Sequence, residues 1–147
     1  MPLQSKPAMP GTVTAARTLL FVVSGLSGVV LIMNAVALMA VVTHPEGTDA
    51  LLAEGGQTMA GVLLNFALGL AVIVLLLLGG LRVGKGGNRN HLLVRLLVGG
   101  GGLLSLVHAV LAGQNAAFMG FVVPLIVLML LQSKSAREWF DAVESAR

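Results

Sequence analysis

Residues 96–133 read LLVGGGGLLSLVHAVLAGQNAAFMGFVVPLIVLMLLQS, thirty-eight positions without a formal charge. At about 1.5 Å per residue, one straight helix of that length would reach ~57 Å, almost twice the roughly 30 Å hydrocarbon core of a bilayer. Gly113, Gln114 and Asn115 stand near the middle and form a turn signal. The stretch therefore predicts a hairpin of two membrane helices, about 92–112 and 116–131. Pro124 lies inside the second of these, where neighbouring helices can satisfy the freed carbonyl and a kink is expected.

Two more uncharged blocks lie upstream, 18–43 and 55–81. Each is long enough to span. They predict helices at about 19–42 and 59–81. His44, Pro45, Glu46 and Gly47 end the first, and Gly79, Gly80 and Arg82 mark the end of the second. Lys6 and Arg17 before an apolar run resemble a signal peptide, but the run from 19 to 42 exceeds the ~7–15 residues of such a core. An uncleaved first helix is the better account. The chain is 56% hydrophobic and 10% charged, against about 25% charged in a typical soluble domain. The fold class expected is all-α: a polytopic membrane protein of four transmembrane helices arranged as two antiparallel hairpins. Residues 1–16 read as a flexible cytoplasmic tail, and 133–147 as a short amphipathic helix.

Charge sets the direction. Lys and Arg favour cytoplasmic segments. The segments placed inside hold Lys6, Arg17, Arg82, Lys85, Arg89, Arg95, Lys134, Arg137 and Arg147, all nine basic residues. The outer segments, 43–58 and 113–115, hold none, and the first carries Glu46, Asp49 and Glu54. A three-helix arrangement would put Lys134 and Arg137 outside. The expected location is the plasma membrane, with both termini cytoplasmic. The basic residues are interleaved with apolar blocks and form no soluble basic face, which argues against nucleic acid.

The two hairpins have similar features. Arg17 and Arg95 open the odd helices, and Gly-Gln steps at Gly56-Gln57 and Gly113-Gln114 precede the even ones. A parallel repeat is one explanation; chance likeness among leucine-rich membrane helices is the other. Ser24 and Gly28 make a small-x-x-x-small step, and Gly99 to Gly102 make the third helix thin. Small residues let membrane helices approach closely, so Ser24, Gly28, Gly99 and Gly102 are expected at packing faces. The alternative is that the four glycines break the helix, as in transporters.

Chemistry is sparse. No Asp or Glu lies within a span, whereas proton-coupled transport normally needs a buried ionisable group. Small multidrug exporters depend on a glutamate in the first helix, which this chain lacks. Asn34, Asn65 and His108 lie about 12, 9 and 6 Å from the outer ends of their helices at about 1.5 Å per residue. Hydrogen bonding between helices explains them most simply; a polar pocket open to the outside is the sharper alternative. Only His108 is intramembrane, so a two-histidine haem or a histidine metal site is disfavoured. There are no cysteines, which excludes disulfides and zinc-thiolate sites. Gly79, Gly84 and Lys85 have the spacing of a phosphate-binding loop. They lack the following Ser or Thr and do not follow a strand. No Ser-His-Asp set or carboxylate pair is placed for catalysis, and no cofactor is expected. Arg82, Lys85, Arg89 and Arg95 are topogenic charges, and they also suit anionic lipid headgroups.

After the last span, Ser135-Ala136-Arg137-Glu138 fits a capping box, and Ala136, Trp139, Phe140 and Val143 then share one helical face. Trp139 and Phe140 are expected at the lipid interface, with docking to a partner protein as the alternative. The motif Ser135-Ala136-Arg137-Glu138-Trp139-Phe140 after a Leu/Val helix resembles the small uncharacterised four-helix integral membrane proteins of actinomycetes. The Gly-, Ala-, Val- and Leu-heavy composition is similar across most of the chain. The N-terminal tail is shorter and poorer in proline than in many of that kind. The resemblance implies a location and no mechanism. The sequence thus points to a non-enzymatic accessory or scaffold component of the cell envelope, with membrane lipids and a second copy or a membrane protein as partners. A small-solute transporter or channel subunit working as an oligomer is the alternative.

Overall fold

The computed structural model describes residues 7–43, 48–112 and 119–146, and every element in them is an α-helix. In chain order these are α1 (Gly11–Val42), α2 (Thr48–Glu54), α3 (Met59–Val83), α4 (Asn88–Ala112), α5 (Met119–Leu131) and α6 (Lys134–Ser145). Among them, α1, α3 and α4 are long and apolar enough to cross a membrane. α5 passes the same test only when joined to α6, with a bend of 63° between them. Its 13 residues reach roughly 20 Å at about 1.5 Å per residue, short of a bilayer core. The expected turn at 113–115 and the start of the fourth helix at 116–118 lie outside the described residues.

α1 packs on α3 and α5, and α4 packs on the same two, so these four helices close a ring. Its tightest part is the end covered by α6. There Val13, Ala16, Leu20, Leu76, Val83, Val94, Val98, Val127 and Leu131 form one buried cluster with Ala136, Trp139, Phe140 and Val143. At the opposite end Ile32, Met33, Val36, Met39, Val110 and Leu111 are exposed.

Three boundaries differ from the sequence expectations. The segment 1–16 is not all tail, because α1 starts at Gly11 after the extended Pro10. Val13, Ala16, Leu20 and Ser24 are buried at three- and four-residue intervals, a core-facing stripe that continues past Arg17. The loop 43–58 contains α2, which buries Leu52 and is followed by Gly56 with φ 66°. α4 begins one turn early, at Asn88. α3 matches its expected start at Met59, where Thr58 Oγ1 accepts the Gly61 N–H at 3.1 Å.

The glycine run at 99–102 lies within continuous helix. Its members point in different directions. A methyl group at Gly101 would stand 3.0 Å from Leu76 Cδ2, and one at Gly102 would stand 3.0 Å from Pro124 Cβ. Gly99 and Gly100 would meet nothing within 4 Å, and neither would Gly28. Of the four small residues singled out from the sequence as packing positions, Ser24 is buried and Gly102 faces Pro124, while Gly28 and Gly99 face open space within the chain. Gly79 and Gly80 take that role instead: a methyl there would lie 3.1 Å from Val98 Cγ2 and 3.4 Å from Leu20 Cβ, respectively.

Candidate functional site

α6 closes the end of the ring. Ser133 governs the corner: its hydroxyl donates to the Leu130 carbonyl at 2.7 Å and accepts the Ala136 N–H at 3.3 Å. One side chain thus ends α5 and caps α6. The expected capping box at Ser135–Glu138 is displaced by two residues, and Ser135 instead bonds Thr12 Oγ1 at 3.0 Å.

The apolar face of α6 turns onto protein. Trp139 and Phe140 are 4% and 0% exposed, so their expected contact with lipid is corrected. The base of the ring would otherwise leave Val13, Ala16, Val83, Val94 and Leu131 uncovered, and the four-residue stripe of α6 covers that apolar surface instead. The Trp139 indole N–H donates to the Pro7 carbonyl at 3.1 Å. The indole meets Phe140 edge-on, with centroids 5.0 Å apart. Phe140 stacks on His91 at 4.5 Å and 14°. The His91 Nε2–H donates to the Leu131 carbonyl at 3.0 Å, the tautomer that a carbonyl acceptor requires. Glu144 Oε2 accepts the Asn88 backbone N–H at 3.1 Å. Val143 packs so closely on Gly86, φ 66°, that an added methyl would lie 2.6 Å from Val143 Cγ1.

The outer face of α6 is polar, with Lys134, Arg137, Glu138 and Asp141 exposed. Lys134 and Glu138 form an exposed ion pair at 3.7 Å, worth little in high dielectric. Arg82, Lys85, Arg89 and Arg95 are all exposed around the same end. Arg17 is held differently. Its guanidinium lies against Gly84, where an added methyl would sit 3.2 Å from Cζ, and 5.6 Å from the centroid of the Phe21 ring.

The polar residues toward the other end do not converge. His108 Cε1 would lie 3.8 Å from a methyl at Gly69, which also faces Leu31 at 3.5 Å. Asn34 is exposed, while Asn65 and His108 are half-buried. Among the described residues no hydrogen bond joins these three, and no three His, Asp or Glu side chains gather as a metal site requires. Ser24 Oγ is buried without a hydrogen-bond partner. A shallow apolar depression on α4 is lined by Leu106, Val107, Val110 and Leu111.

Sequence reasoning missed Pro7, His91, Gly86, Glu144 and the seating of Arg17. The run of Val13, Ala16 and Leu20 was a usable signal for the extended α1. Glu144 and Asn88 are 56 positions apart, and nothing local links them. In comparisons with known proteins, no family model, no curated protein and no solved structure matches the chain.

Proposed function

We propose that the chain is a non-enzymatic multi-pass protein of the plasma membrane. It acts as an accessory or scaffold component through helix contacts and through its C-terminal segment. Its four spans form two antiparallel hairpins, with both termini cytoplasmic. Contact order supports the hairpins: Leu20 meets Gly79 and Gly80 while Leu31 meets Gly69, so numbers rise on α1 as they fall on α3. Val98 and His108 meet Gly79 and Gly69 in the same reversed order, as do Pro124 and Gly120 with Gly102 and Ser105. The exposed cations supply the positive-inside signal. The resemblance of the tail to actinomycete membrane proteins supports the location alone.

The observation that carries the scaffold role is the docked α6. Its apolar side is used within the chain, which leaves Arg137, Glu138 and Asp141 as a polar platform on a fixed helix. Such a face offers recognition without chemistry. The alternative is a small-solute transporter or channel subunit working as an oligomer. It is favoured by one feature, the contrast between the packed base and the exposed opposite end.

Absence of cysteine makes the topology test clean. Cysteine introduced at Gly55 should react with an impermeant maleimide in intact cells, and cysteine at Ser145 only after permeabilisation. Equal reactivity at both would reject the orientation. Reproducible solute flux in proteoliposomes, lost in Asn34→Leu and Asn65→Leu, would replace the scaffold role with the transport one.

A further inference from the structure

We infer that Arg17, at the seam between α1 and α3, is the centre of a discrete binding site for the headgroup of an anionic phospholipid. The inference rests on the proposed membrane orientation, which puts this seam at the cytoplasmic leaflet.

The seam is built by small residues. Gly80 takes Leu20 and Phe21 of α1 against its backbone, and one turn further Gly84 takes the Arg17 guanidinium. The Phe21 ring lies 5.6 Å from Arg17 Cζ, a cation–π distance. Contact with Gly84 and Phe21 orders a side chain that would otherwise lose rotamer entropy on binding. Arg17 nevertheless remains exposed, so part of its donor set faces outward. A guanidinium presents paired N–H groups that match two phosphate oxygens. Lys85 follows Gly84 directly and is exposed too. Leu77 and Leu81, 39% and 49% exposed, lie on the flank of α3 above the seam, where acyl chains run.

Charge complementarity selects the occupant. Among the described residues Arg17 forms no salt bridge. Among the described residues the side-chain carboxylates at this end are Glu138, Asp141 and Glu144, all on α6. Glu138 lies by Lys134 and Glu144 holds the Asn88 N–H. A phosphodiester with further negative charge nearby fits the Arg17 guanidinium. A zwitterionic headgroup brings its own ammonium and fits less well.

The test is lipid binding by the full-length protein in neutral-detergent micelles, titrated with phosphatidylglycerol, phosphatidylcholine or inorganic phosphate. Emission of the single tryptophan, Trp139, checks that each variant is folded. Phosphatidylglycerol should bind at least tenfold more tightly than phosphatidylcholine, and inorganic phosphate alone should not compete. Arg17→Gln should abolish most of that preference. Arg17→Lys keeps the charge and loses the fork, and should retain only part of it. Lys134→Gln, on α6 at the same end, should leave it unchanged. Equal losses in Arg17→Gln and Lys134→Gln would reduce the effect to diffuse charge and overturn the site. Competition by free phosphate, or no lipid preference in the parent protein, would also overturn it. Detergent-dependent extraction from membranes would still hold in those cases, so the membrane assignment fails or stands separately.

Discussion

Glu144 Oε2 and the backbone N–H of Asn88, 3.1 Å apart, join the last turn of α6 to the first turn of α4. The carboxylate does for α4 what an N-cap side chain does for an ordinary helix, and it places negative charge at the positive end of the helix dipole. The cap arrives from the other end of the chain, so the start of α4 depends on α6 being docked.

Glu144→Ala should therefore weaken the base at a distance. The expected cost is about 0.5–1 kcal/mol, the lower part of the capping range because the group is exposed. Hydrogen exchange should quicken at residues 88–91, the first turn of the helix that Glu144 caps. Glu144→Gln keeps an acceptor and should retain most of the protection. Unchanged exchange in Glu144→Ala would show that the cap contributes nothing.

Gly86→Ala should be more severe. The added methyl meets Val143 Cγ1 at 2.6 Å, and the φ of 66° strains any L side chain. Left-handed backbone costs roughly 1–2 kcal/mol, and overpacking typically 1–3 kcal/mol more. α6 should lift, and Trp139 emission should shift to the red. Adding Val143→Ala should recover the packing part and leave the backbone part. A double variant no better than the single one would reject the contact as the cause.

The glycine run makes a contrast within four residues. Gly99→Ala and Gly100→Ala add a methyl in open space and remove a poor helix former, so each should stabilise by about 0.5–1 kcal/mol. Gly102→Ala drives a methyl to 3.0 Å from Pro124 Cβ and should destabilise by about 1–3 kcal/mol. Thermal unfolding in one detergent ranks all three. The same sign throughout would mean that helix propensity, and not packing, governs the segment.

Ser24 carries a buried hydroxyl with no partner. Ser24→Ala removes that group and should raise stability by up to about 1 kcal/mol. A loss of stability in denaturant titration would show that the hydroxyl is satisfied in the native membrane.

The long helices were legible because hydropathy and length are local properties. The start of α1 was legible in part. Val13, Ala16 and Leu20 carry the helical interval, but Pro7 and Pro10 made the same segment look like tail. The face of α6 was legible as a face, since Ala136, Trp139, Phe140 and Val143 fall together at helical spacing. What it covers was not. Lipid and protein satisfy an apolar stripe equally well, and Pro7, Gly86 and His91 reveal themselves as its floor only when the chain is folded. The four glycines illustrate the same limit. A string of identical residues cannot say that two face Leu76 and Pro124 while two face nothing.

The bond from Trp139 to Pro7 spans 132 positions, and α6 follows α1, α3, α4 and α5 in chain order. At roughly 5–20 residues per second, a ribosome needs about 7–26 s to travel that interval. During this time Val13 and Ala16 have no cover, although the helices above them can already enter the bilayer. Closing the base is therefore a late event in biogenesis, separable in time from insertion, and a nascent chain stalled before α6 would sit in the membrane with its apolar underside open to chaperones and proteases.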